Sequence, residues 1–163
     1  MKRKTESPEV PAAGEGKRGE QGHLGYLLRQ AGGAMRNRME RALAEYRVTQ
    51  AQFVVLTMIG AYPGLSNADL ARLAVLTPQT VNGIVANLKR SGAIASRPHP
   101  VHGRIQQLSL TAKGTKTLAR CKLRVQGVES EIAAGLTAEQ ERTIRQWLVR
   151  MAVDHSDTKR KSA

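Results

Sequence analysis

Cysteine occurs once in this 163-residue chain, at Cys121, so an intramolecular disulfide is excluded and a reducing, cytoplasmic setting is expected. Aromatic residues make up only 3% of the sequence, so any core must be aliphatic, built from Leu, Ile, Val, Ala and Met. Acids are scarce: 13 against 26 bases, and between Val48 and Ala112 the sole acid is Asp69. That scarcity disfavours catalysis by paired carboxylates. No P-loop, dinucleotide fingerprint or nucleophile–base signature occurs either, so neither an enzyme nor a cofactor is expected. No apolar run approaches the roughly 20 residues of a membrane span, and the basic N-terminus lacks the apolar stretch of a secretory signal.

What is present is a chain of ordinary core content, 40% hydrophobic, with a formal net charge of +13. The length suits one domain with tails. So basic a protein seeks polyanions: DNA, RNA or an anionic membrane surface. Residues 22–112 hold ten basic and three acidic side chains, so much of the excess lies within the folded part.

Residues 1–21 are rich in Lys, Glu, Pro and Gly and poor in apolar side chains, and are expected to be a disordered tail. From His23 to Arg47, Leu24, Leu27, Leu28, Ala31, Met35, Met39, Ala42 and Leu43 keep helical spacing, interrupted by Gly32-Gly33. A second helix follows, capped by Thr49, with Phe53, Val54, Leu56 and Ile59 as its apolar face and Pro63-Gly64 at its end. Ser66 with Asp69 makes a variant capping box for a short third helix, whose Leu70, Leu73 and Leu76 are expected inside.

The stretch Thr77 to Gly92 organises the chain. Thr77 can cap it, Pro78 suits the first helical position, and Gly92 can supply a left-handed stop. Val81, Ile84, Val85 and Leu88 form one apolar stripe. The other side carries Gln79, Thr80, Asn82, Asn87, Lys89 and Arg90 and no acid. Gln and Asn can pair with adenine edges, and Thr hydroxyls suit phosphates or bases. Alone, such a helix reads first as an ordinary amphipathic helix with a solvated face. Two short helices, a turn and a polar-faced helix, however, make a helix-turn-helix pattern, although the turn holds Val75 where many such motifs place Gly.

Ile94–Pro98 and Arg104–Leu110 read as a hairpin, joined by a loop that carries Arg97, His99, His102 and Arg104 and no acid. After a recognition helix such a hairpin is a wing, and an Arg at its tip can enter a narrow minor groove. His99 and His102 fall short of the three or four ligands a metal needs, so no metal site is expected. Two further helices follow, to about Ala134 and from the capping box Thr137–Gln140 onward. Leu118, Cys121, Val125, Val128 and Ile132 mark the apolar side of the first, and Ile144, Trp147, Leu148 and Met151 that of the second. These helices and the first need apolar partners, which a second copy would supply.

The segments Val48–Phe53, Asn67–Leu73, Thr77–Gly92, Arg97–Arg104 and Leu110–Gly114, in this order and spacing, resemble the MarR family of transcriptional regulators over His23 to about Val153. The resemblance implies a mainly α fold with a small β-hairpin wing: a winged helix-turn-helix lobe at 48–112, dimerisation helices at 22–47 and 112–153, and a polar tail at 154–163. It implies a homodimer that binds double-stranded DNA at inverted repeats, mostly represses, and often responds to a small anionic or aromatic effector. By position, Gln79, Thr80 and Asn82 would face bases or nearby phosphates, and Ser66 and Thr77 phosphates. Asn87, Arg90, Arg97 and His102 complete the expected DNA surface, and Arg104 matches the wing-tip arginine. Many members carry an Asp-x-Arg wing, whereas Pro98–Gly103 here has no acid. His23, Tyr26, Arg29, Met58 and Tyr62 could line an effector pocket, or could be ordinary interface and core residues. A sequence-neutral nucleoid-associated protein is the alternative function.

Overall fold

Local capping chemistry sets the helix starts. The computed structural model describes residues 10–98, 100 and 106–160, with side chains through Val153. Six helices and one hairpin follow in order: α1 (Leu24–Ala44), α2 (Gln50–Ala61), α3 (Asn67–Leu73), α4 (Pro78–Arg90), β1 (Ile94–Pro98), β2 (Gln106–Leu110), α5 (Ala112–Ala133) and α6 (Ala138–Arg160). Thr49 and Gln52 form a full capping box at α2, as do Ser66 and Asp69 at α3. The Thr77 hydroxyl accepts from the Thr80 amide with Pro78 in the first turn of α4. Thr137 and Gln140 exchange the same pair of bonds at α6, at 2.8 and 3.2 Å. Each cap satisfies amides that the first turn leaves orphaned.

The helix ends obey the same accounting. At the end of α4 the Ala93 amide donates to the Leu88 carbonyl and the Gly92 amide to that of Lys89, with Gly92 at φ +73°. The end of α3 repeats this motif: Leu76 donates to Ala71 and Val75 to Arg72, with Val75 at φ +53°. Glycine normally occupies this left-handed position. A β-branched residue there is strained by about 1–2 kcal/mol, and Val75 gains nothing from packing, being 90% exposed. Val75→Gly is therefore expected to raise stability by about 0.5–1 kcal/mol after the entropy cost of glycine. Thermal denaturation should show a higher midpoint; a lower one would mean that the turn does not need the left-handed conformation.

The chain divides into two compact units, one through Cys121 and one from Lys122. In the first, α2 packs on α1, α3, α4 and β2, and α3 lies against α4. Leu43, Val55, Leu56, Ile59, Leu70, Val81, Leu108 and Cys121 are almost completely buried. Each fully buried aliphatic of this kind contributes roughly 1.5–3 kcal/mol. Among the described residues no polar or charged residue is buried. The antiparallel hairpin pairs Ile94 with Leu110 and Pro98 with Gln106, so Leu108, opposite Ser96, turns inward.

Two expectations about the core need correction. On α2 the buried valine is Val55, while Val54 is only half-buried. Leu73 is exposed at 44%, because α3 ends there and the chain turns away. In the second unit, Ile144, Leu148 and Met151 keep their helical stripe and are exposed in the single chain. Residues 10–21, part of the stretch expected to lack order, form turns and a 3-10 helix at Gly16–Arg18. The Gln30 amide donates to the Arg18 carbonyl at 3.3 Å and ties this segment to α1. Met1–Glu9 lie outside the described residues.

Candidate nucleic-acid interface

Burying Val81, Ile84, Val85 and Leu88 leaves Gln79, Thr80, Asn82, Asn87, Lys89 and Arg90 on the open side of α4. The hydrogen bonds among them decide which polar atoms remain for a ligand. Gln79 makes no side-chain hydrogen bond among the described residues, so its amide keeps both a donor and an acceptor. Asn82 differs: its Oδ1 accepts from Asn67 Nδ2 at 2.7 Å, which leaves its NH2 as the free group. Thr77 and Thr80 share a hydroxyl–hydroxyl bond of 2.8 Å. Asn87 Oδ1 accepts from Arg90 Nη1 at 3.0 Å.

Ser66 is spent internally, since its hydroxyl donates to Asp69 Oδ2 at 2.7 Å and accepts from the Asp69 amide at 3.2 Å. Asp69 also pairs with Arg72. The Ser66 side-chain and backbone hydrogen bonds, and then Arg72, hold the Asp69 carboxyl below the usual aspartate range. A depressed carboxylate contributes its capping at neutral pH and loses it only as pH falls through that lowered value.

Arg97 is exposed on β1 opposite Gln107. His102 and Arg104, the other wing residues expected at DNA, and His99 lie outside the described residues. Two members of this surface escaped the list of site residues. Asn67 orients Asn82 from 15 residues away, and Lys89 Nζ donates to Ser96 Oγ at 2.7 Å, joining α4 to the wing strand. The alternation of hydropathy carries no signal for either pair; only the packed fold does.

The expected effector residues separate. Tyr26 and Arg29 stand together, the guanidinium 5.6 Å from the ring centre, and line an open cavity of about 750 Å3 with Arg18 and Gln30. His23 precedes α1 without a side-chain cap bond. Met58 and Tyr62, on and just after α2, do not line this cavity. Cys121 is fully buried, and burial pushes its thiol up, so it stays protonated and a poor nucleophile at neutral pH. Among the described residues no cluster of three metal-ligating side chains occurs, and no helix is long and apolar enough to cross a membrane.

Comparison with known proteins places this geometry. A profile described as the MarR family matches residues 48–105. The HTH-type transcriptional repressor Rv2887 of Mycobacterium tuberculosis is 36% identical over 131 residues, covering 80% of this chain and 94% of its own length. The structure of Rv2887 in complex with DNA matches with a TM-score of 0.64 at 35% identity, covering 79% of this chain and 97% of that one. Its complex with salicylic acid matches at 0.64 and 37% identity, over 81% and 98%. The repressor CouR bound to a 23-mer duplex matches at 0.77 and 25% identity, over 85% and 98%.

Proposed function

The chain belongs to the MarR family of winged helix-turn-helix transcriptional regulators, DNA-binding proteins rather than enzymes, and from that premise we propose that it is a homodimeric, ligand-released repressor of a palindromic operator. One observation carries the reading: the open side of α4 is polar and uncharged at its first turn, basic at its last, and free of acid. Two copies set their α4 helices in successive major grooves, with half-sites about one turn apart, roughly 10–10.5 bp. Gln79, Thr80 and Asn82 meet base edges; Thr77, Asn87 and Arg90 meet the backbone. Ser66 reaches phosphate by exchanging its bond to Asp69. Arg97, with His102 and Arg104 in the wing loop, follows the minor groove. The exposed stripe Ile144, Leu148 and Met151 on α6 supports a second copy as partner, since contiguous exposed apolar surface marks an association site.

Rv2887 is named a repressor and was crystallised with salicylic acid. That supports repression here, and an anionic or aromatic acid as the releasing ligand. The cavity at Tyr26 and Arg29 offers such an acid a cation beside a ring. His23 stands at the same end of α1, and a ligand reaching α2 would also meet Met58 and Tyr62.

A mobility-shift titration tests the reading. The native promoter is expected to bind far more tightly than scrambled DNA of equal length; equal affinity at moderate salt would instead fit a sequence-neutral nucleoid-associated protein. Arg90, Arg97 and Arg104 from two copies bring about six cations to the duplex, each displacing counterions. Affinity should then fall roughly a thousandfold between about 50 and 200 mM salt. A nearly salt-independent affinity would remove the phosphate contacts from the account.

A further inference from the structure

The segment 10–22 ahead of α1 is bonded well within itself and weakly to its neighbour. The Glu15 amide donates to the Ala12 carbonyl at 3.1 Å, the Arg18 amide to that of Glu15 at 2.8 Å, and the Gly19 amide to that of Gly16 at 2.9 Å. Arg18 Nη1 donates to the Pro11 carbonyl at 2.6 Å and closes the loop. The fit is tight: a Cβ at Gly19 would stand 2.2 Å from the Gly14 carbonyl oxygen. Among the described residues, the hydrogen bonds that fasten this segment to α1 are two long ones, both between Arg18 and Gln30, at 3.4 and 3.3 Å. A piece built in this way can lift from its helix without coming apart.

The cavity of Tyr26 and Arg29 lies between this segment and α1, with Ala13 and Arg18 on one side and Tyr26, Arg29, Gln30 and Asn37 on the other. Arg18 and Arg29 therefore share one space that no carboxylate lines. Arg18 spends Nη1 and Nε on Pro11 and Gln30, which leaves Nη2 to a ligand. The Arg29 guanidinium makes no hydrogen bond or ion pair among the described residues. Two like charges that face one gap repel, and an anion between them turns that repulsion into attraction to both. We propose that residues 10–22 are a strap over this site: Arg18 brings a second cation to the anion that Arg29 holds, and the bound anion in turn fastens the strap. The proposal rests on the reading of this cavity as the effector site, and adds to it a movable wall. Such coupling is reciprocal: docking of the strap tightens the ligand by the same factor as the ligand favours docking.

Limited trypsin digestion and amide NMR of the full chain test this, with benzoate as the probe anion and benzamide as its uncharged match. Lys17 is exposed, and a cut after Lys17 or Arg18 requires the strap to lift. Saturating benzoate is expected to move the Tyr26 and Arg29 amide signals and to slow that cut about tenfold, the size of one charge-assisted contact. Benzamide should slow it less than about twofold. Gly19→Ala cannot keep the turn, yet removes no charge and no residue lining the cavity. It should speed the cut and weaken benzoate by the same factor of about ten. Arg29→Ala should remove both the binding and the protection. If benzoate moves the α1 signals through Arg29 but neither protects the strap nor loses affinity in Gly19→Ala, the strap is refuted and the effector site stands. If benzoate leaves the α1 signals unmoved, the effector site itself falls, and the strap with it.

Discussion

Gly114→Ala is expected to lower stability by about 3 kcal/mol or more, and to drop the thermal midpoint by roughly 6–12 °C. A Cβ at Gly114 would stand 1.9 Å from the Ala93 carbonyl oxygen and 2.9 Å from its carbon. Neither side can yield easily. The Ala93 carbonyl accepts from the Thr111 amide at 3.1 Å and from the Thr111 hydroxyl at 3.1 Å. The same hydroxyl donates to the Gly92 carbonyl at 2.7 Å and accepts from the Gly114 amide at 3.1 Å. Ala93 itself is buried at 5% exposure. Relief therefore means prising apart the end of α4, the hairpin and the start of α5 together. Gly83→Ala is the matched control: it lies inside α4, and a Cβ there meets nothing within 4 Å. It should gain about 1 kcal/mol of helix propensity. A Gly114→Ala midpoint within about 2 °C of the parent protein would refute the close approach.

The largest functional effect is expected from Gln79→Ala. A bidentate amide–adenine pair is worth about 1–3 kcal/mol of discrimination, and the proposed two-fold complex would contain the contact twice. Binding to the preferred operator should weaken by about 2–6 kcal/mol, while binding to random DNA should hardly change. An equal loss on all sequences would mean that Gln79 does not read a base. Asn82 should select differently. With its oxygen engaged by Asn67, it offers only donors, which suit the acceptor edges of guanine N7 and O6 or thymine O4. Asn67→Ala frees that oxygen and should admit adenine at the Asn82 position. Selection from random duplexes reads both changes in one experiment.

Interactions between near neighbours in sequence were the ones legible beforehand. Thr49, Ser66, Thr77 and Thr137 all cap where their spacing to the third helical residue indicates, because a cap needs only one turn of chain. The buried stripe of α4 and the first strand of the hairpin were readable for the same reason. Contacts between distant segments were not. Asn67 with Asn82, Lys89 with Ser96, and Lys113 with Ser91 depend on how helices and strand pack, and no local pattern encodes them. Val75 is instructive in another way. Absence of glycine argued against a tight turn, yet two backbone hydrogen bonds hold the valine in the left-handed region. The effector residues were chosen from an expected pocket position, and the cavity beside α1 takes in Tyr26 and Arg29 of the five.

The fate of Asp69 bears on kinetics. It is the only carboxylate between Val48 and Ala112, and two neighbours already engage it. An incoming duplex therefore meets no unpaired carboxylate of this lobe among the described residues. Orientation can be corrected after first encounter, by sliding along the polyanion, so the search for an operator becomes one-dimensional over short distances and its speed is governed by counterions.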